Sequence, residues 1–214
     1  MRINHLASAM PRIREVQLAL CGLDVSERCN ANMKVDMLTK LNLGCGFDIY
    51  PGWINLDRAA LPGVDVVHDL EKLPLPFADG SMDYVLAKDV LEHVDYILLM
   101  RDLHRILRPG GTLEIRVPHF TSADNFIDPT HKSRFSIRTF DFFVAGSAIA
   151  RSYYFDFSFR EISRRHISFF RGPLLYNYVV EPMVNAHGKI QKYFELTCIS
   201  RLFPAQNISV RLVK

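Results

Sequence analysis

The sequence predicts an α/β fold with a mainly parallel sheet, and three observations predict it. Short apolar runs recur between residues 38 and 117, separated by connections of loop or helix length. Strands alternating with such connections build a parallel sheet through right-handed crossovers. Residues 40–57, KLNLGCGFDIYPGWINLD, place a glycine turn after one strand and an acid at the tip of the next. The C-terminal part ends on alternating runs, FDFSFREI and ISVRLV, which predict an antiparallel contribution to the same sheet.

Taken in order, residues 1–37 form an N-terminal extension. Residues 11–22 are predicted helical, with Ile13, Val16 and Leu20 on one face and Gly22 as the stop. Met33 is read as an alternative start, because MKVDMLTKLNLGCG by itself opens the domain. Residues 38–214 are predicted to be one domain, with a cofactor half over 38–118 and a substrate-side half over 119–214. The first strand begins at Leu38 and the second runs 53–57. The third covers 64–68, and the proline-rich LPLPFADGS loop follows it. Residues 83–87 read as a buried strand. From 90 to 107, Leu91, Val94, Leu98, Leu99, Leu103 and Ile106 recur at helical spacing. Pro109-Gly110-Gly111 is expected to end that helix and lead into a strand over 112–117. Residues 119–136 have no clean period, and a loop of that length is usually functional or partly helical. Beyond it the pattern predicts a helix over 139–150, a strand over 154–162, a helix over 187–203 and a last strand over 207–213.

Composition narrows the class. The 214 residues allow a sizeable core, and 49% apolar with 23% charged residues is ordinary for a globular chain. A net charge of +3 neither requires nor excludes an anionic partner. No apolar run approaches a membrane span, and residues 1–37 have no secretory-type apolar core, so a cytoplasmic protein without a membrane partner is expected. Cys21, Cys29, Cys45 and Cys198 form no Cys-x-x-Cys pair, which argues against a zinc framework or disulfides. The sequence sets no oligomeric state.

The glycine turn carries the chemistry. Ligands of open α/β sheets sit beyond the carboxyl ends of the strands. Gly44 and Gly46 allow positive φ and close approach of a ligand to the backbone. Asp57, at the tip of the next strand, can accept both hydroxyls of a ribose. Cys45, between the glycines, reads as a small residue tolerated beside a ligand rather than as a nucleophile. Turn and acid together can hold a nucleoside.

The motifs LNLGCG, GWINLD, VDVVHDLEKLPLPFADGSMDYV, DVLEHV and HRILRPGGTLEIRVP, in this order, resemble the class I S-adenosylmethionine-dependent methyltransferases. The resemblance is closest to the methyltransferase-domain group whose members open LNLGCG…GWINVD. It spans residues 38–120, and DPTHKSRF and the C-terminal ending resemble the same group. It implies a Rossmann-like sheet flanked by helices and S-adenosylmethionine as cofactor. It further implies that Gly44 and Gly46 line the methionine and ribose, that Asp57 takes the ribose hydroxyls, and that Asp69 and the Leu70 amide meet adenine. Lys88 or Asp89 would lie near the methyl group. One departure stands out: Asp57 follows Gly46 by only 11 residues, so the first crossover must be a loop or a single turn. The methionine carboxylate then lacks part of the usual helix N-terminus.

Methyl transfer from a sulfonium depends mainly on alignment, with a general base added where the acceptor is a hydroxyl. His119 and His131 are the candidate bases, and Asp128 is placed to orient His131. His119, Asp128 and His131 do not follow a recognised ligand spacing, so no metal is expected. His93 reads as a capping or packing residue at the start of a helix. The acceptor is expected to be a small molecule or a saccharide. Arg151, Arg160, Arg164, Arg165, His166 and Arg171, set among aromatics, raise RNA or another nucleic acid as an alternative. A nucleoside-binding module without turnover is a third reading. A nicotinamide oxidoreductase fits neither the glycine pattern nor the spacing to the acid.

Overall fold

The computed structural model describes residues 38–151 and 153–214. The expected helix over 11–22 and the start at Met33 lie outside them. The described chain forms a seven-stranded sheet in the order β3-β2-β1-β4-β5-β7-β6. Its strands are β1 (Lys40–Leu43), β2 (Ile54–Asp57), β3 (Val66–Val67), β4 (Met82–Lys88), β5 (Leu107–Pro118), β6 (Glu161–Phe169) and β7 (Ala205–Val213). Neighbours from β3 to β5 pair in parallel, and β7 runs antiparallel to both β5 and β6. The mainly parallel sheet with a reversed C-terminal strand is as the sequence predicted. The helices are α1 (Tyr96–Ile106), α2 (Asp124–Ile127), α3 (Asn177–Asn185), α4 (Gly188–Leu196) and α5 (Ile199–Leu202), with 3-10 turns at Leu91–His93 and Thr139–Phe143.

The register sorts the two faces. Leu41, Leu43, Leu56, Val85, Ala87, Leu113, Ile115, Val210 and Leu212 fall on one face and are buried. Helix α1 supplies Leu99, Met100, Leu103 and Ile106 to the same core. The aromatics Phe135, Phe140 and Phe143 extend it. The opposite face carries Asn42, Asn55, Tyr84, Glu114 and Arg211. It is held by hydrogen bonds: Arg211 donates to Glu114 at 2.6 Å, and Tyr84 donates to the same carboxylate.

Asn42 and Asn55 explain how the first crossover does without a helix. Residues 44–53 contain only turns. Asn42 Nδ2 donates to the Asp48 carbonyl at 2.7 Å. Asn55 Oδ1 accepts from the Tyr50 amide at 3.0 Å, and its Nδ2 donates to the Tyr50 carbonyl at 3.2 Å. Two buried amides thus satisfy backbone groups that a helix would have paired internally.

Helix α1 is closed at both ends by side chains. Asp95 accepts from the amides of Ile97 and Leu98, as an N-cap does. The Lys214 ammonium donates to the carbonyls of His104 and Leu107 at 2.6 and 2.9 Å at the other end. Along its flank, Asp102 is nearly buried and accepts from the Leu75 amide at 2.7 Å. Arg105 donates to Asp102, to the Phe77 carbonyl and to Asp79. This group pins the proline-rich loop to the helix. Arg105→Ala is expected to cost about 1–2 kcal/mol, the low end for hydrogen bonds to charged groups because the guanidinium stays partly exposed. A urea denaturation midpoint that does not fall would contradict the assignment.

Several boundaries differ from the sequence prediction. The helix expected over 90–107 starts at Tyr96, after a separate 3-10 turn. Strand β5 begins at Leu107, so Pro109–Gly111 lies inside it; the ladder shifts register between Met82 and Tyr84 to absorb the irregularity. The third strand shrinks to two residues. The helix over 139–150 is a 3-10 turn that ends at Phe143. The strand expected over 154–162 is β6, at Glu161–Phe169. Phe155 and Phe157 instead stack near Phe143, with ring centroids 4.7 and 5.7 Å away. Alternation there reflects one side packing on an aromatic cluster, not a ladder. The helix over 187–203 is broken at Thr197–Cys198 into α4 and α5.

Candidate functional site

The sheet order reverses between β1 and β4, and a cavity of about 660 Å³ opens beyond their carboxyl ends. Gly44, Asp57, Asp69, Leu70 and Asp89 line it, together with His93 and His131. Five of the eight residues expected to contact the cofactor therefore share one cavity. Cys45, Gly46 and Lys88 support it from outside. Cys45 is buried, its amide donates to the Leu56 carbonyl at 3.0 Å, and burial pushes its thiol above the usual range. The Gly46 amide donates to Asp57 Oδ2 at 2.8 Å. Lys88 pairs with Asp48 on the first crossover.

The glycine turn is shaped for a ligand. Gly44 has φ +61°, and a Cβ there would lie 2.6 Å from Val90 Cγ2. Asp57 has one oxygen on the Gly46 amide and the other on the Ala59 amide at 2.9 Å. The carboxylate is thereby fixed at the cavity wall, with lone pairs left for a diol. Asp69 closes a short turn by accepting from the Glu71 amide at 3.2 Å, and no helix follows it to be capped. Asp89 sits at φ +56°, uncommon for a non-glycine residue, and is held by Arg116 through two hydrogen bonds.

A second cavity of about 410 Å³ adjoins the first. Asp89, His93 and His131 line both. Glu92, Arg116, Asp128, Gln206 and Asn207 add polar groups to the second. His131 and Asp128 are brought together, with Nε2 and Oδ2 3.8 Å apart. His119 is elsewhere: it is fully buried, with Nε2 3.2 Å from Glu195 and Nδ1 2.7 Å from Thr121 Oγ1. Glu195 also accepts from Ser136 and from the Ile137 amide, so His119 belongs to a packing network that ties α4 to the sheet.

Sequence reasoning passed over Glu92 as a site residue and set His93 aside. Glu92 is 1% exposed, and burial pushes its carboxyl up to about 7. His93 stacks edge-on against His131, ring centroids 4.6 Å apart, and burial followed by the neighbouring His131 lowers its pKa. The available signal was the Glu-His pair directly after a strand whose end meets the site.

The basic stretch is neutralised in part. Arg160 pairs with Glu161, Arg165 with Asp141 and Arg171 with Glu181, whose Oε1 also lies 3.2 Å from His166 Nε2. Arg151 and Arg164 make no ion pair among the described residues.

Comparison with known proteins agrees with this architecture. The methyltransferase-domain family profile matches residues 19–115. A malonyl-[acyl-carrier protein] O-methyltransferase from Dechloromonas aromatica is 40% identical over 113 residues, covering 52% of this chain and 40% of that protein. A demethylmenaquinone methyltransferase from Listeria welshimeri is 41% identical over 57 residues, covering 26% and 24% of the two chains. The chain thus spans less than half the length of these relatives. The crystal structure of a SAM-dependent methyltransferase from Archaeoglobus fulgidus superposes with TM-score 0.50 at 18% identity, covering 83% of this chain and 86% of that one. With the sheet order, the glycine turn and its acid in place, the chain is similar over residues 19–115 to the methyltransferase-domain family and shares the fold of S-adenosylmethionine-dependent methyltransferases, whose cofactor is S-adenosylmethionine.

Proposed function

We propose that this protein transfers a methyl group from S-adenosylmethionine to a hydroxylated small molecule or saccharide. The observation that carries the reading is the junction of the two cavities at Asp89, His93 and His131. When bound, S-adenosylmethionine supplies a methyl group on a sulfonium that departs as a neutral thioether. Asp57 accepts the ribose hydroxyls, Gly44 lets the cofactor approach the backbone, and Asp69 with the Leu70 amide takes adenine. Arg58 and Lys132 line the first cavity, and Lys88 and Arg116 stand beside it; Lys88, which would have to give up its pairing with Asp48, is assigned to the methionine carboxylate that no helix N-terminus serves. Asp89, locked by Arg116, faces both cavities and sets their relative position. With the cofactor bound, a hydroxyl acceptor placed at this junction would gain the methyl group on oxygen and would lose its proton to a base on the acceptor side or to solvent. Holding the acceptor in line supplies ~7–11 kcal/mol of the barrier. His131 and Asp128 stand on the acceptor side, whereas His119 is a packing residue.

The polar lining of the second cavity, with Arg116, Asp128, Gln206 and Asn207, favours a polyhydroxylated acceptor. Pairing of Arg160, Arg165 and Arg171 with carboxylates lowers the free charge that nucleic acid would need. The test uses methyl-tritiated S-adenosylmethionine with sugars, small alcohols and phenols, and total RNA. Label is expected in the small-molecule fraction. Label in RNA alone would overturn the acceptor class, and bound cofactor without transfer to any acceptor would favour the module without turnover.

A further inference from the structure

Glu92, His93 and His131 each offer a ligand atom, and these atoms lie within 4.8 Å of one another. We infer that the three side chains form a binding site for one divalent transition-metal cation, zinc(II) being the natural first occupant, with an open position facing the acceptor cavity.

Four observations support the site. First, both carboxylate oxygens of Glu92 are buried with no hydrogen-bond partner, and so is Nδ1 of His131. Buried polar atoms are ordinarily paired, and three orphans around one point call for a ligand. Second, the histidine tautomers are set for metal binding. Thr130 Oγ1 donates its only proton to Asp128 at 2.6 Å, so it must accept from His93 Nδ1–H, 2.8 Å away. His93 Nε2 then carries the free lone pair. On His131, Nε2 faces Asp128 at 3.8 Å, which leaves the orphaned Nδ1 as donor. A ligating histidine typically gives its other nitrogen to such a carboxylate or hydroxyl partner. Here one carboxylate, Asp128, serves both rings.

Third, the backbone holds the two ligand segments together. The Glu92 carbonyl accepts from the Lys132 amide at 2.7 Å and from the Ser133 amide at 3.3 Å. Fourth, the donor set of two imidazoles and one carboxylate is the chemistry of three-ligand zinc sites that keep a fourth position open. Zinc bonds of about 2.0–2.2 Å in a tetrahedron put donors roughly 3.3–3.5 Å apart, so small rotations close the site. Glu92 and His93 follow strand β4, and His131 comes from the irregular segment after β5. The two halves therefore meet only in the folded chain.

The open position faces the cavity that the methyl-transfer reading assigns to the acceptor, and the role of the cation rests on that reading. A cation there would bind an acceptor oxygen and make its hydroxyl more acidic. Cation binding itself does not depend on it.

The test uses the full chain, stripped with chelator and titrated with zinc(II) against a chromophoric competitor, then with cobalt(II) followed by absorption. One cation per chain is expected, with a cobalt(II) spectrum free of a thiolate charge-transfer band. Glu92→Gln and His131→Ala should each weaken binding more than about 100-fold, beyond the effect of losing an outer-shell partner. His131→Ala lies in a loop and serves if the buried Glu92 variant fails to fold. Unchanged affinity in a folded His131→Ala protein, or a thiolate band that assigns the cation to cysteines, would overturn the proposal. Binding of S-adenosylhomocysteine to the metal-free protein is measured alongside. Retained nucleoside binding with no cation leaves the methyl-transfer reading standing and removes only the metal.

Discussion

Gly44→Val is expected to weaken cofactor binding at least about 100-fold, and the reason is local. The residue has φ +61°, where a β-branched side chain is strained by about 1–3 kcal/mol. Its Cβ would also meet Val90 Cγ2 at 2.6 Å, and overpacking of that kind costs about 1–3 kcal/mol more. The turn can relieve both only by moving into the cavity it lines, so the cost is divided between affinity and stability. Gly46 provides the control. Its φ is +51°, but nothing lies within 4 Å of a Cβ there. Gly46→Ala should therefore cost only the conformational part. Titration with S-adenosylhomocysteine, paired with denaturation midpoints, separates the two contributions. Equal effects at the two glycines would show that Gly44 does not lie beneath the ligand.

Much of this was legible in the sequence because residues 38–118 are built from local signals. The LNLGCG run, Asp57 and the Asp69-Leu70 pair each sit just past a short apolar run, and strand ends at one edge of a parallel sheet converge. The helical first crossover was absent from the sequence by its length alone, and the structure shows what replaces it: Asn42 and Asn55 on the polar face. The second half was less legible. Phe155, Phe157 and Phe159 alternate because they pack on Phe143 and His104, and period two cannot tell that from a ladder. Helix α3 has Pro182 inside it and exposes Tyr178, Val179 and Met183, so it shows little amphipathic pattern.

Residues 119–136 show the same limit. His119 and His131 look equivalent in a loop, and only tertiary contacts separate them. Glu195 and Thr121 occupy the two nitrogens of His119, while His131 keeps Nδ1 free beside Glu92. Pairing Glu92 and His93 with His131 depends on the backbone bonds that bring residue 132 to residue 92, which no spacing rule encodes.

Asp57 is assigned the ribose of the cofactor, and calorimetric titration of wild type and Asp57→Ala with S-adenosylmethionine and S-adenosylhomocysteine decides that assignment. Asp57 is held by the Gly46 and Ala59 amides, so its carboxylate presents fixed acceptors to a ribose diol. Removing hydrogen bonds to a charged group costs about 1.5–3 kcal/mol, roughly 10- to 150-fold in affinity. The variant also frees the Gly46 amide, which adds to the loss. Saturable binding to wild type that weakens by this factor in Asp57→Ala is the predicted result. Equal affinity in both proteins, or no binding of either ligand to wild type at millimolar concentration, would contradict the account.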